Sequence, residues 1–427
     1  MKSEKISFIV VSADGKDYLA VLLPSIFQLD YPDSLIEVVV VDNGSSDGTV
    51  EWLEKEWPLV RVIANSENEG FARPNNVAAR SATGKWLCLV NNDMKLEKNW
   101  LREMLGALEG EKCLCAGSVI LDWEGKKIDF DGGAIAFTGH GPQPNHGDTT
   151  KKKEKIGKNE KIEKVEIPFA CGGAMLIDKN AFLEVGGFDE SYFAYYEDVD
   201  LGWRLWLYGY EVVLAPGAIA YHRHNATSKK APAYQKKVLM ERNALFSAIK
   251  NYEEENLLRI LPAALLLANK RMCQESQVEK KDFIFSLSGL PKKKEISEKN
   301  EIPWAKAWRS LYRKGLSSFL KKVAVALATK VLKRWGRPPF AEGGVLVDRS
   351  AYATAIALEE VADHLDELLA KRAVIQKCRR RPDSEVLPLF LEPLRAIDGN
   401  PSYLKAQKAF LSSWGIERVF DIPKLRP

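Results

Sequence analysis

Cysteine is scarce in this chain. Six residues in 427, namely Cys88, Cys113, Cys115, Cys171, Cys273 and Cys378, are spread over its length. Only Cys113 and Cys115 lie close together, and their spacing makes no metal knuckle. A disulfide framework is therefore not expected, and the chain reads as reduced and intracellular, a cytoplasmic protein. A strong charge of one sign is also lacking. The net charge of +4 is small for the length and does not mark a nucleic-acid binder, so no nucleic-acid partner is expected. Long hydrophobic runs are missing too. No stretch reaches the ~18 apolar residues of a membrane span, and the best candidate, Leu257 to Lys270, is interrupted by Arg259 and Pro262. The apolar run Ile6 to Val11 near the N-terminus is short and has no small-residue cleavage site after it, so no signal peptide is expected. No internal repeat is found.

What is present is a globular composition, 46% hydrophobic, in a chain long enough for two or three domains. ISFIVVS (Ile6 to Ser12) is a continuous β-branched run, and IEVVVVDNGSSDGT (Ile36 to Thr49) opens with another and ends in a polar, glycine-rich loop, the pattern of strands buried on both faces. Val60 to Asn65 and Lys85 to Asp93 read as further strands. Tyr18 to Leu29, Val50 to Trp57 and Pro74 to Ala82 have helical spacing between them. Alternation of this kind predicts an α/β fold with a mostly parallel, wound sheet, whose ligands bind at the carboxyl ends of the strands. The polar clusters Ser12 to Asp14, Asp42 to Asp47 and Asn91 to Asp93 fall at those ends. Ile167 to Glu190 and Glu211 to His222 complete the unit. Residues 141–166, almost free of apolar side chains and rich in lysine, read as a mobile surface loop or a solvated linker. From about Ala231 the pattern is helical, with helices expected at Ile356 to Leu369 and Tyr403 to Trp414.

Four stretches carry chemistry. In VVVVDNGSSDGT, Asp42 closes a strand and can accept hydrogen bonds from a base or ribose, while small neighbours let a nucleotide approach the backbone. A turn with Asp47 capping the next helix is the plainer alternative. In NNDMKL, Asp93 follows a buried strand and can hold a hard divalent cation, Mg²⁺ or Mn²⁺, together with substrate phosphate oxygens. Asn91 can add an amide oxygen there, although Asn and Asp are also ordinary turn residues. In FAYYEDVDLGWRL, the acids Glu197, Asp198 and Asp200 follow Phe193, Tyr195 and Tyr196 directly. Rings beside a carboxylate strip its solvation and raise its pKa, which suits a general base. Acids in a first helical turn also suit the helix dipole. Asp200 and Arg204 stand at i and i+4, so an ion pair is expected for Asp200. In AYHRHNAT, His222 and His224, two of only five histidines, fall where a strand should end, and a neutral imidazole can complete a site begun by Asp93.

Taken in order, VVVVDNGSSDGT, NEGFARPNN, NND, CGGAMLI, GGFDESYFAYYEDVDLGWRL and AYH resemble glycosyltransferase family 2, in its bacterial rhamnosyltransferase-like branch, over roughly residues 5 to 250. The resemblance implies a GT-A nucleotide-sugar-binding domain over residues 1–250, followed by a mainly helical region over 251–427. It implies that Ser12, Asp14 and Asp42 hold the base and ribose. Asn68 and the loop to Asn76, with Arg73 beside the diphosphate or simply on the surface, would line the nucleotide-sugar together with Asn91 and Asn92. Asp93 and His222 would hold the divalent cation. Glu197 and Asp198 would present the catalytic base, Asp198 being the one expected to take the proton, and Cys171 to Ala174 would border the acceptor. The implied partners are a nucleoside-diphosphate sugar donor and a saccharide or lipid-linked acceptor. One departure stands out: Asn91 occupies the first position of the family's frequent Asp-x-Asp.

Two other readings compete. A nucleotidyltransferase would need a glycine-rich basic loop after the first strand, which Ser12 to Lys16 does not offer. A catalytically silent sugar-nucleotide module is favoured by Asn91 and opposed by the intact Glu197–Asp198 pair. Trp304 to Phe340 carries ten Lys or Arg and no acid. Its helical part reads either as a peripheral contact with an anionic membrane face, through 304–337, or as a packing domain with a solvated basic edge.

Overall fold

The computed structural model describes residues 4–150, 164–223, 232–276 and 348–421. Its centre is one mixed sheet of β1 (Ile6–Ser12), β2 (Ile36–Asn43), β3 (Arg61–Asn65), β4 (Trp86–Val90), β5 (Met94–Leu96), β6 (Cys113–Asp122), β7 (Ile128–Phe130), β8 (Val165–Glu166), β9 (Ala174–Asp178) and β10 (Glu211–His222). The order is β3-β2-β1-β4-β9-β6-β10-β5, with β7 on β6 and β8 on β10. The first four strands run parallel, as the β-branched runs predict. β9 enters antiparallel between β4 and β6, and β6 pairs with β10 in parallel. The expected mostly parallel α/β sheet is therefore found.

Each early strand is followed by a covering helix: α1 (Lys16–Phe27), α2 (Thr49–Glu56) and α3 (Ala72–Ser81). Ile9, Val10, Val39, Val40 and Val41 are fully buried under them. That is why these strands read as unbroken apolar runs and not as alternating ones. Farther along lie α4 (Trp100–Gly106), α5 (Lys179–Glu184) and α6 (Glu197–Leu207). Asp178 ends β9 and caps α5, its carboxylate accepting the Ala181 N–H at 3.0 Å. In β10 the ladder with β6 slips between Ala215 and Ile219. Pro216, which has no N–H to give, sits in that slip. Beyond it the strand also pairs antiparallel with β5, setting His222 opposite Met94 and so beside Asp93.

Among the described residues the C-terminal part is helical, as expected: α7 (Ala233–Asn251), α8 (Glu254–Glu275), α9 (Arg349–Asp363), α10 (Leu365–Cys378), α11 (Asp383–Val386), α12 (Pro401–Ser413) and α13 (Ile416–Phe420). The helix expected over Ile356 to Leu369 is instead two, meeting at His364, whose ring takes up the carbonyl of Glu360 at 2.8 Å. These helices share one buried cluster with the sheet. Trp203 of α6 meets the edges of Tyr252 and Phe390, with centroids 4.7 and 4.9 Å away. Of the lysine-rich 141–166, the first part folds back on β7: Gly147 N–H donates to the Ile128 carbonyl, and Ile128 N–H to that of Asp148, both at 2.8 Å. Residues 151–163 of that loop, His224 and the basic stretch 304–337 lie outside the described residues. No helix among the described residues is long and apolar enough to cross a membrane.

Helices α6, α7 and α10 meet around a buried charge network. Asp200 and Arg204 form the expected i, i+4 pair at 2.8 Å, and both are under 5% exposed. Lys250, 1% exposed, reaches both Asp189 and Asp200, and Lys371 also binds Asp189. Burial alone would raise the two carboxyl groups, but Arg204 and Lys250 beside Asp200, and Lys250 and Lys371 beside Asp189, hold both below the usual range. Removing one partner strands a buried charge, a loss of about 3–5 kcal/mol. We expect Lys250→Ala to lose stability of that order in urea unfolding at pH 7. With both carboxyls depressed, the stability that the network confers is present above pH ~4 and is lost as pH falls below it. A change under about 1 kcal/mol would mean that the network contributes no more than a surface pair.

Candidate active site

The ends of β1, β2 and β4 form the rim that the sequence pattern points to. Ser12 and Asp42 are register partners there, and Asn92 Nδ2 donates to Ser12 Oγ at 2.9 Å, tying the end of β4 to the end of β1. Asp42 is 2% exposed. Its Oδ2 accepts the Ser45 N–H at 3.0 Å, while Oδ1 is buried and has no hydrogen-bond partner among the described residues. A buried acceptor left open is costly unless a ligand fills it. Asp14, at φ +48°, is stitched to the loop after β2: its N–H donates to Ser45 Oγ at 2.9 Å and its Oδ1 accepts the Ser46 N–H at 2.8 Å. The two loops are thereby held as one edge.

A second group forms where β10 meets β5. His222 Nε2 lies 3.3 Å from Asp93 Oδ1, and its Nδ1 lies 2.7 Å from Asp129 Oδ2. Burial alone would lower the imidazole pKa, and the hydrogen bonds to Asp129 and Asp93 reverse this, to about 9. Asp129 lies in β7 and was not singled out from the sequence, since nothing local marks it. Among the described residues no cluster of three or more His, Cys, Asp or Glu is placed to hold a metal by itself. The pair fits a divalent cation nonetheless: one oxygen and one imidazole nitrogen face each other, and the far ring nitrogen is oriented by a carboxylate, the usual support for a ligating histidine. Such a pair leaves further coordination positions to phosphate oxygens and water. Asn91 stands beside it, its N–H donating to the Gly173 carbonyl at 2.9 Å.

Residues 68–76 divide between rim and framework. Asn68 Oδ1 accepts from Asn43 Nδ2 at 3.0 Å and from the Gly70 N–H at 2.9 Å. Asn43 also donates to the Gly70 carbonyl and accepts from the Glu69 N–H, so it fastens this loop to the end of β2. It was missed because an Asn after a strand looks like any turn residue. Arg73 pairs with Glu69 at 3.3 Å on the surface. Asn76 is 3% exposed. It donates to the Phe188 carbonyl at 2.8 Å and accepts the Phe188 N–H at 2.9 Å, bracing the loop before α6 from inside.

The third group opens α6. The helix starts from Tyr196, whose φ of 65° is left-handed. Phe193 and Tyr195 share such angles, at 63° and 70°. Each such non-glycine residue costs of order 1–3 kcal/mol. Glu197 is 7% exposed, and its Oε2 has no hydrogen-bond partner among the described residues. Burial, and next the neighbouring Asp198 charge, push its carboxyl well above the usual range. Asp198 is half-buried and touches solvent. Burial raises its pKa, and the Gly172 and Val199 N–H groups that it accepts, at 2.9 and 2.8 Å, offset part of the rise.

Residues 171–173 join the second and third groups. A Cβ on Gly172 would stand 3.5 Å from the Asp198 Cβ, and one on Gly173 would stand 3.0 Å from Asn91 Nδ2. The Cys171 thiol is pushed far up by burial and then by the charges of Asp198, Asp129 and Glu197. Through Gly172 and Gly173, Asp198 and Asn91 thus border the same short segment. The arrangement puts an open acceptor, a potential cation site and two poorly solvated carboxylates along one sheet edge.

Residues 7–186 match the family model of glycosyl transferase family 2, and residues 160–240 match that of glycosyl transferase family group 2. With the wound sheet, this defines the protein as an enzyme of the glycosyltransferase class. Its N-terminal domain is a glycosyl transferase family 2 domain. Among its relatives, an N-acetylglucosaminyl-diphospho-decaprenol L-rhamnosyltransferase of Mycobacterium tuberculosis is 28% identical over 218 residues, covering 46% of this chain and 70% of that protein. The O-antigen biosynthesis protein RfbC of Myxococcus xanthus is 29% identical over 238 residues, covering 54% of this chain and 18% of that one. Of solved structures, GalNAc-T7 with UDP, GalNAc and Mn²⁺ aligns at 16% identity and a TM-score of 0.49, over 79% of this chain and 59% of that one.

Asn76 separates framework from binding site. Asn76→Ala should cost about 1–3 kcal/mol, the penalty for leaving Phe188 unpaired, with nucleotide affinity within threefold of wild type. Thermal unfolding and calorimetric titration with UDP and dTDP check this; a larger loss of affinity at unchanged stability would return Asn76 to the binding site.

Proposed function

We propose that this enzyme is an inverting transferase that moves a sugar, rhamnose or a similar hexose, from a nucleoside-diphosphate donor to a hydroxyl of a growing cell-surface polysaccharide or glycolipid. The observation that carries the reading is the pairing of Asp198 with Glu197 at the start of α6, where Asp198 accepts the Gly172 N–H and the next residue, Gly173, accepts the N–H of Asn91 just past β4. Two adjacent carboxylates in a poorly solvated site resist full ionisation together. Burial and the Asp198 charge push Glu197 further toward its protonated form, while the backbone N–H groups on Asp198 favour its carboxylate, which leaves Asp198 as the better proton acceptor of the two. Bound to the Gly172 N–H, Asp198 is held at a fixed place. It takes the proton from the acceptor hydroxyl, whose oxygen attacks the anomeric carbon from the face opposite the leaving diphosphate. A single displacement inverts the configuration.

The open Asp42 oxygen suits a ribose hydroxyl or a base N–H, and Asp14 and Ser12 shape the same edge. A divalent cation, Mg²⁺ or Mn²⁺, held by Asp93 and His222 would neutralise charge on the departing diphosphate. Support for the substrate class comes from the mycobacterial relative, named for a rhamnosyl transfer to a lipid-diphosphate-linked sugar. A lipid-linked acceptor would put the enzyme at the inner face of the cell membrane, a peripheral position for which the basic stretch 304–337 has the right charge.

Asp198→Asn should lower turnover at least 10³-fold while leaving donor affinity within threefold; retained turnover would remove Asp198 from the role of base. Because the base must be deprotonated and its pKa is raised, kcat/KM should climb with pH through a limb above the ordinary carboxylate range. Asp93→Ala should weaken Mn²⁺-dependent nucleotide binding tenfold or more, read by thermal shift across UDP-, dTDP- and GDP-sugars. Metal dependence identical to wild type in that variant rejects the cation site.

A further inference from the structure

Helix α7 begins near the end of the family matches, and its residues Arg242 and Asn243 lie beyond residue 240, where the second of them stops. Both side chains are buried and turned toward the segment that precedes α6. Asn243, fully buried, shares its amide Nδ2 among three backbone carbonyls: Tyr192 at 3.1 Å, Ala194 at 2.9 Å and Tyr195 at 2.7 Å. Arg242 Nη2 donates to the carbonyls of Ser191 and Tyr192, both at 3.0 Å. Arg242 Nε donates to Asn243 Oδ1 at 2.9 Å. That last bond fixes the amide orientation, since only Nδ2 can then face the carbonyls. On its far side Arg242 is anchored by Glu360 of α9.

The segment they grip is unfavourable by itself. Phe193, Tyr195 and Tyr196 are three of the five non-glycine residues with positive φ among the described residues. Such angles persist only where the surroundings over-determine them. Here the turned backbone directs its carbonyls at one amide. It also brings the Phe193 carbonyl onto the Phe71 and Ala72 N–H groups at the start of α3, at 2.6 and 3.3 Å. Gly70 is required at that contact, because a Cβ there would stand 2.6 Å from the Phe193 ring and carbonyl. Tyr196 is the first residue before α6 and Asp198 the second residue inside it. Any rotation of the segment therefore moves the Asp198 carboxylate relative to Gly172.

We propose that Asn243, oriented by Arg242, is a positioning residue of the transfer reaction: it holds the run 193–196, three of whose four residues have positive φ, in place and thereby sets the position of the Asp198 carboxylate. The inference rests on the reading of Asp198 as the base and assigns to α7 the task of aiming it. Asn243 does not meet the reacting atoms; it acts through the backbone.

The test compares Asn243→Leu, which keeps the branched shape and removes the donor, and Arg242→Lys, which keeps the charge facing Glu360, with the wild-type full chain, in the absence of substrate. Hydrogen–deuterium exchange should rise at least tenfold over 193–200 and at the Gly172 N–H, which Asp198 accepts. Peptides of β1 should exchange at the wild-type rate. In protein labelled with ¹³C at the aspartate carboxyls, the Asp198 signal, identified by its loss in Asp198→Asn, should titrate at lower pH in both variants. Wild-type protection over 193–200 and at Gly172 in a folded Asn243→Leu overturns the inference. So does a uniform rise that includes β1, which would make the helix a support for the whole fold. Should Asn243→Leu not fold, Arg242→Lys decides by the same criteria. Because this readout needs no donor, its failure is distinct from the failure of the base reading, which turnover by Asp198→Asn reports.

Discussion

Three acids within four residues open α6, and the fold treats them in opposite ways. Asp200 is buried deepest, yet Arg204, Lys250 and Asn251 answer it at 2.8, 3.1 and 2.9 Å. Its charge is thereby neutralised and its ionised form favoured. Among the described residues, Glu197 and Asp198 receive no cation. Burial acts on them unopposed except by backbone N–H groups, and their protonated forms gain. Withholding a counter-charge from two carboxylates in a poorly solvated place is the constraint on which the rest of the site depends. It costs stability, and the surrounding structure exists to hold it: the left-handed run before the helix, the Gly172 N–H, and the α7 side chains behind.

The same logic governs the other half of the rim. Asp42 keeps an unpaired buried oxygen, and Asp93 faces an imidazole that a third carboxylate orients. Both are arrangements that a nucleotide or a cation completes. They sit where β1, β2 and β4 end, because strands that run parallel present their last residues along one edge. The bulge at Pro216 then carries β10 across to β5, which is how a residue 129 positions after Asp93 comes to stand next to it.

Much of this was legible in the residue pattern. The β-branched runs gave β1 at both ends and β2 at its start, because strands covered on both faces favour Val and Ile. The Asp200–Arg204 pair followed from helical spacing alone. Other features were not legible, each for a physical reason. Asp129 acts through a contact across the sheet that no local spacing encodes. Asn76 and Asn68 lie in the expected loop, but their amides are used largely on the protein's own backbone. No glycine marks 193–196, so its left-handed backbone is invisible until α7 supplies the carbonyls with donors. The single helix expected over Ile356 to Leu369 splits at His364, which apolar spacing does not register.

The central claim is spatial: Asp42, Asp93, Asp198 and His222 serve one bound nucleotide-sugar. A crystal structure of the full chain grown with dTDP, UDP or GDP and Mn²⁺ tests it most directly. The metal should be bound to Asp93 Oδ1 and His222 Nε2, with the diphosphate on it. The nucleoside should lie against Asp42, with Asp198 facing the open side of the diphosphate. A nucleotide bound away from Asp42, or a metal that leaves His222 on Asp93 unchanged, would contradict it.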